Sequence, residues 1–281
     1  MHGAATYPGC LHYEVIPMAG VEAAVDELPP GADVSVTCSP SQGIARTQEL
    51  TEALVARGHR PTPHLAARLV EGRAHARQLA AWLRDLGIGE AFVIAGDAPH
   101  ERGPYPGAAG FLRDLLDADP GPLRLGVAGY PDGHPLIPPQ IAGVQLAAKQ
   151  GVMRDAGVRG WISTQMCFDP TLVREWIVGV RGAGIDLPIR LGVAGAVDRA
   201  RLLRVGARLG IGQSLRYVRK NRSGLGRLLA GPRYEPGALV DAFAADGDDL
   251  GIEGLHCFTF NAVADTRRWH EHYLDAVARV G

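Results

Sequence analysis

The stretch GRAHARQLAAWLRDLGIGEAFVIAGD, residues 72–97, decides the fold. Its first half is rich in Ala, Leu and Arg, with apolar residues at helical spacing. Gly87 and Gly89 then stop the helix, because glycine tolerates the left-handed backbone that ends one. AFVIAGD follows at once, a short apolar run closed by Gly and Asp, which predicts a buried strand. Helix, glycine turn and strand therefore make one compact unit.

The same unit recurs along the chain. Strands are predicted at HYEVIPM (from His12), DVSVTCS (from Asp33), RPTPHLA (from Arg60), AFVIAGD (from Ala91), RLGVAGYP (from Arg124), GWISTQMCF (from Gly160), PIRLGVAG (from Pro188) and GLHCFTFN (from Gly254). Their starts lie roughly 20–36 residues apart, with a longer gap of about 65 before the eighth, and eight such alternations fit a closed parallel barrel. DAGVRG and GAGIDLP punctuate other helix ends. PPQ at residues 138–140 and AADGDDLG at 244–251 are expected to be loops, and no linker divides the chain. The fold class expected is α/β, a (β/α)₈ TIM barrel, as a single domain over residues 1–281.

With 281 residues, 46% of them hydrophobic, the chain can bury a large core. Its net charge of −1 provides no global field for nucleic acid or an anionic membrane. No apolar run approaches the ~20 residues of a membrane helix, and the N-terminus lacks the basic start and apolar stretch of a secretion signal. A cytoplasmic location is expected, with a homo-oligomer left open. Cys10, Cys38, Cys167 and Cys257 stand far apart, with no CxxC pair, so reduced buried thiols and no metal cluster are expected. His270 and His272, two apart on the last helix, point to different faces and are expected in solvent.

In such a barrel the chemistry sits where the strands end. The polar residues there are Glu14, Thr37, His64, Asp97, Tyr130 with His134, Gln165 and Asn261. Glu14 lies among Tyr13, Val15 and Ile16, whose partial desolvation of the carboxyl suits a general acid. The competing reading for Glu14 is a structural carboxylate tied to a basic neighbour.

These residues carry a resemblance that runs in order along nearly the whole chain. YEVIPM, VSVTCSP, TPHLA, IAGDAP, GYPDGHP, STQMCFDP and HCFTFN resemble successive motifs of the methylenetetrahydrofolate reductases. The resemblance implies reduction of 5,10-methylenetetrahydrofolate to 5-methyltetrahydrofolate, with NAD(P)H as the ultimate hydride source. It implies Glu14 as catalytic acid and Asp97 as a catalytic and pterin-binding carboxylate. It further implies Gln165 and Asn261 at the substrate, and Thr37, His64, Tyr130 and His134 at the cofactor. The chemistry agrees: opening the methylene bridge needs a proton for the departing nitrogen and a negative charge beside the resulting cation.

Two departures bear on FAD. Ala95 stands where the family has Arg, and Met153 where it has Lys; neither can hold a phosphate by a charge-assisted hydrogen bond. A third position, after Asn261, reads Ala262 in place of Arg. Lys149, one turn from Met153, is a candidate replacement. Two versions stay open: an altered FAD site, or direct transfer from reduced nicotinamide. The basic segment from Ser214 to Tyr234 reads as a solvated helix face or as a seat for an anionic tail. A non-catalytic tetrahydrofolate-binding barrel serving a methyltransferase partner is the alternative function, and it would have no use for Glu14. A lyase or aldolase would want a strand lysine, and no predicted strand carries one.

Overall fold

A computed structural model describes residues 7–134, 137–198, 201–202 and 233–280. Beside a short antiparallel pair, Val197–Asp198 with Arg233–Tyr234, the barrel strands are β1 (Leu11–Val15), β2 (Asp33–Val36), β3 (Arg60–Ala66), β4 (Glu90–Ile94), β5 (Arg124–Gly129), β6 (Gly160–Thr164), β7 (Ile189–Ala194) and β8 (Ile252–Phe258). All pair in parallel, and β1 meets β8 to close the ring. Each of the eight strands starts within two residues of its predicted run, and five of them end three or four residues before the run does. The helices α1 (Val21–Val25), α2 (Gly43–Ala56), α3 (Arg73–Asp85), α4 (Ala108–Asp117), α5 (Pro139–Asp155) and α6 (Pro170–Gly182) follow the first six strands in turn. A short α7 (Gly237–Asp241) precedes β8, and α8 (Val263–Val280) follows it.

The stretch that opened the sequence reading shows why the layers hold. In α3 the buried residues are Ala76, Leu79, Ala80 and Leu83, a single stripe at i, i+3, i+4 and i+7. It covers outward-facing strand residues such as Val93, while the alternate residues of β4, Glu90 and Phe92, face the barrel axis. Axial placement follows from contacts between strands that are not neighbours. His64 on β3 packs against His256 on β8 with ring centroids 6.3 Å apart, and Arg190 on β7 binds Glu90 on β4. Gly126 on β5 makes room for this filling, since a Cβ there would lie 2.4 Å from both Phe92 and Trp161.

The N-terminal end of the barrel is plugged by charge. Arg190 donates to both oxygens of Glu90 at 2.6 and 2.7 Å and to Glu253 at 2.8 Å. Arg124 donates to Glu253 at 2.8 Å and to Glu90 at 3.4 Å. Two guanidinium groups and two carboxylates thus cancel, and the Arg190 guanidinium lies 4.0 Å over the Trp161 ring. Burial would raise the Glu90 carboxyl pKa, but the hydrogen bonds and charge of Arg190 outweigh it and hold the group below its ordinary value. Burial and the Arg190 charge push His12, next to this network, down to about 3.

Two expectations are corrected here. Pro139 and Gln140 are not loop but the first residues of α5; proline suits this position because its missing N–H has no helical partner there. His270 is buried, at 7% exposure, and its Nε2 donates to the Pro8 carbonyl at 3.1 Å. It shares the packed face of α8 with Trp269, whereas His272 is exposed. The four cysteines are free thiols, three of them buried. No described helix is long and apolar enough to cross a membrane. The basic segment lies outside the described residues except for Arg233 and Tyr234, as does most of the helical pattern that follows β7.

Candidate active site

Glu14 is the fourth residue of β1, facing the axis near the strands' C-terminal ends at 8% exposure. Its Oε2 lies 3.0 Å from Nε2 of His256 and 4.0 Å from Nε2 of His64. All three side chains are buried. Burial, with His256 adding, lowers the His64 pKa to about 3, so this imidazole is neutral at any working pH. Its Nε2 is buried without a hydrogen-bond partner and faces the carboxylate from 4.0 Å. Phe92 walls the site, 4.7 Å from the His64 ring and 6.1 Å from that of His256. The Glu14–His256 pair can hold a proton between an imidazole nitrogen and a carboxylate oxygen, out of bulk water. That is the arrangement a general acid needs.

The backbone around Glu14 is fastened from β8. Thr259 Oγ1 donates to the Glu14 carbonyl at 2.5 Å. Just beyond, Phe260 and Asn261 adopt positive φ of 51° and 61°, a costly conformation for residues other than glycine. It is held by the Asn261 amide, which accepts from the Ile16 N–H at 2.8 Å and donates to the Ile16 carbonyl at 2.9 Å. Asn261, expected at the substrate, therefore spends its side chain stapling the ends of β1 and β8 together.

The other expected residues ring the same end. Thr37 follows β2, donating its N–H to the Val15 carbonyl and accepting from Thr47 Oγ1 at 3.0 Å. Gln165 follows β6, and its Oε1 accepts from the Met166 N–H at 2.9 Å. Asp97 is exposed, three residues beyond β4. Gly96 sets it there: its φ is +85°, and a Cβ would sit 2.8 Å from that of Ala66. Tyr130 and His134 pack edge to face at 4.9 Å. Burial pushes Tyr130 up to about 12, with the Asp97 charge adding; burial lowers His134, with Asp97 opposing. Asp97, Tyr130 and His134 thus form one electrostatic group, while His64, expected from the resemblance at the cofactor, belongs with Glu14.

Sequence reasoning missed His256, although it stands in the quoted HCFTFN strand. Alternation along β8 puts His256 and Phe258 on the axis, but only ring closure brings His256 to Glu14. The ligand atoms of Glu14, His64 and His256 lie within 4.8 Å of one another, as do those of Cys10, His12 and Asp33. Either set has donors a divalent transition metal accepts. Spacing along the chain does not reveal such sets, because Glu14, His64 and His256 come from β1, β3 and β8, and Asp33 of β2 joins Cys10 and His12 only through strand pairing.

A buried carboxylate–imidazole pair thus stands at the C-terminal end of a (β/α)₈ barrel, the end at which active sites of this fold lie. No family model matches it. Over 126 residues, 42% of this chain, it is 32% identical to methylenetetrahydrofolate reductase 2 of Saccharomyces cerevisiae. The match spans 20% of that relative's length. A Clostridium thermocellum protein that binds two copies of 5-methyl-5,6,7,8-tetrahydrofolic acid superposes with a TM-score of 0.64, covering 95% of this chain and 96% of that one at 12% identity. Dihydropteroate synthase of Burkholderia cenocepacia, complexed with 7,8-dihydropteroate, reaches only 0.49 at 17% identity over 98% and 94% of the two chains, too loose to argue from. The structural likeness shows the shared barrel; over the matched 126 residues the sequence is similar to that reductase.

Proposed function

We propose that the protein reduces 5,10-methylenetetrahydrofolate to 5-methyltetrahydrofolate, with NAD(P)H as the source of hydride. The observation that carries this reading is the Glu14 carboxyl, buried at the barrel mouth and held at 3.0 Å by His256. A protonated Glu14 gives its proton to N10 of the folate as the bond from N10 to the bridging carbon breaks. The electron pair of that bond stays on N10, and the bridging carbon becomes an iminium at N5. Hydride from the reduced nicotinamide completes the methyl group. Asp97 supplies negative charge beside the cation and binds the pterin edge. Gln165, whose amide carries both donor and acceptor, orients the heterocycle. His256 sits where it can restore the proton to Glu14 after each turnover.

The residues present do not fit FAD as the family pattern holds it. Ala95 lines a cleft beside β4 and β5 but offers no charge. Met153 is 1% exposed and packed under Gly160, where a Cβ would lie 2.6 Å from its sulfur. The reading therefore takes hydride directly from reduced nicotinamide.

The test is the Glu14→Gln variant, assayed for folate-dependent NAD(P)H oxidation and, separately, for folate binding. Binding should persist while turnover falls about 10²- to 10⁴-fold, the usual contribution of a positioned acid. Near-normal turnover in the variant refutes the role of Glu14. A wild-type protein that binds tetrahydrofolate yet oxidises neither nicotinamide would support the non-catalytic carrier in its place.

A further inference from the structure

His64 carries a buried nitrogen that the reaction above leaves unused. Its Nε2 has no hydrogen-bond partner, and its side chain is only 6% exposed. A polar atom held out of water in this way is costly until something meets it. Two neighbours converge on the same point. Glu14 Oε2 lies 4.0 Å from this nitrogen and 3.0 Å from Nε2 of His256. One donor atom from each of the three residues lies within 4.8 Å of the other two. The three stand on β3, β1 and β8, whose inward positions are fixed by closure of the ring.

The donors say what would meet it. Two imidazoles and one carboxylate suit a divalent transition ion, whereas magnesium and calcium prefer oxygen ligands. Around a tetrahedral Zn²⁺, with bonds of about 2.0–2.1 Å, ligand atoms stand about 3.3 Å apart. The 3.0 and 4.0 Å separations bracket that spacing. Phe92 and Phe258, whose rings lie 4.7 Å from His64 and 4.9 Å from His256, add an apolar wall that limits competing water. Among the described residues no lysine or arginine pairs with Glu14, so its charge is available to a cation. The set of Cys10, His12 and Asp33 differs on both counts. Both oxygens of Asp33 accept from Arg60, at 2.7 and 2.8 Å. His12 Nδ1 faces a guanidinium nitrogen of Arg190 at 3.4 Å and can only accept there. The His12 proton is thereby left on Nε2, the atom nearest Cys10 and the one a metal would need bare.

We propose that Glu14, His64 and His256 form a site for one Zn²⁺ ion at the barrel mouth, and that the ion holds the protein in a form unable to donate a proton. Metal ligands must be deprotonated, and the ion takes the carboxylate oxygen and imidazole nitrogen between which the proton would sit. Metal and acid therefore exclude each other at one atom. Three protein ligands leave a fourth position for water. The binding stands on the geometry alone, while its effect on turnover rests on the reductase reading.

The experiment titrates Zn²⁺ by calorimetry, and Co²⁺ by visible absorption, into chelator-treated wild type, His64→Leu, His64→Gln and Cys10→Ser. The wild type should take up one ion per chain with a Kd of about 1 μM or tighter. Co²⁺ should show the intensified visible bands of a four- or five-coordinate ion. Both His64 variants should bind at least about 100-fold more weakly, since even the partners behind a metal's ligands are worth about 10- to 100-fold. Cys10→Ser should bind as the wild type does. Saturating Zn²⁺ should stop folate-dependent NAD(P)H oxidation, and a chelator should restore it. Circular dichroism shows whether the variants are folded; if they are not, the wild-type stoichiometry and Co²⁺ spectrum decide. A wild type that binds no ion at that strength overturns the proposal, as does equal affinity in the His64 variants or full turnover with Zn²⁺ bound. One ion held through His64, in a protein whose metal-free form oxidises no NAD(P)H, would sink the reductase reading and leave the metal site standing. Turnover without Zn²⁺ uptake would do the reverse.

Discussion

Replacing Arg190 by Met tests whether the charged plug at the closed end of the barrel stabilises the ring. The Arg190 side chain is 5% exposed, and its loss removes three hydrogen bonds of 2.6, 2.7 and 2.8 Å. Glu90 would keep only Arg124 and the Thr62 hydroxyl, each at 3.4 Å, with its own side chain 22% exposed. Breaking a buried pair from one side costs about 3–5 kcal/mol, because the remaining charge loses its compensation. For 281 residues the unfolding entropy is about 0.6 kcal/mol/K, so Tm should fall by about 5–8 °C. The pH dependence gives a second check. In the wild type the Glu90 carboxyl is held below its ordinary value, so its contribution is present above the unfolded pKa and lost as pH falls through the folded one. Without that guanidinium, burial is opposed only by the smaller effects of His12 and Arg124, so the folded pKa rises and the stability this group adds above the carboxylate range shrinks. The gap between the two proteins should therefore be narrow near pH 4 and full at pH 7, measured by calorimetry and urea midpoints at both. A deficit under about 1 kcal/mol, or one of equal size at the two pH values, would refute the reasoning.

Two further outcomes bear on the open end of the barrel. Asp97→Asn should weaken folate binding and turnover together, and steady-state kinetics indistinguishable from wild type would remove Asp97 from the pterin. His256→Leu takes away the 3.0 Å partner of Glu14; kcat should fall by at least about tenfold while the folate KM changes little, since a hydrogen bond to a charged group is worth about 1.5–3 kcal/mol. A kcat within a factor of about two of wild type would show that His256 does not serve the acid.

The barrel was legible because each strand announces itself locally, by a short β-branched run between glycine-ended helices. Glu14 was legible for a related reason: a carboxylate within an apolar strand is conspicuous. Its environment was not. His256 and His64 reach Glu14 across the axis, and nothing in the spacing of β1, β3 and β8 says which inward residues share a layer. The plug hid for the same reason, since Glu90, Arg124, Arg190 and Glu253 look like ordinary charges at strand starts. Asn261 was read as a ligand contact because polar residues at strand ends often are, yet the bent backbone after Thr259 takes its amide first. His270 misled through periodicity: two histidines on one helix look alike in sequence, and only the packing of α8 separates them.

The pairing of Glu14 with His256 spans 242 residues of chain. Within the barrel, the strand made first thus carries a carboxyl group whose imidazole comes only with the eighth strand. The Glu14–His256 pair therefore forms only when the circle is complete, and a proteolytic nick that frees the final strand should part the two groups even where the remaining fragment stays folded.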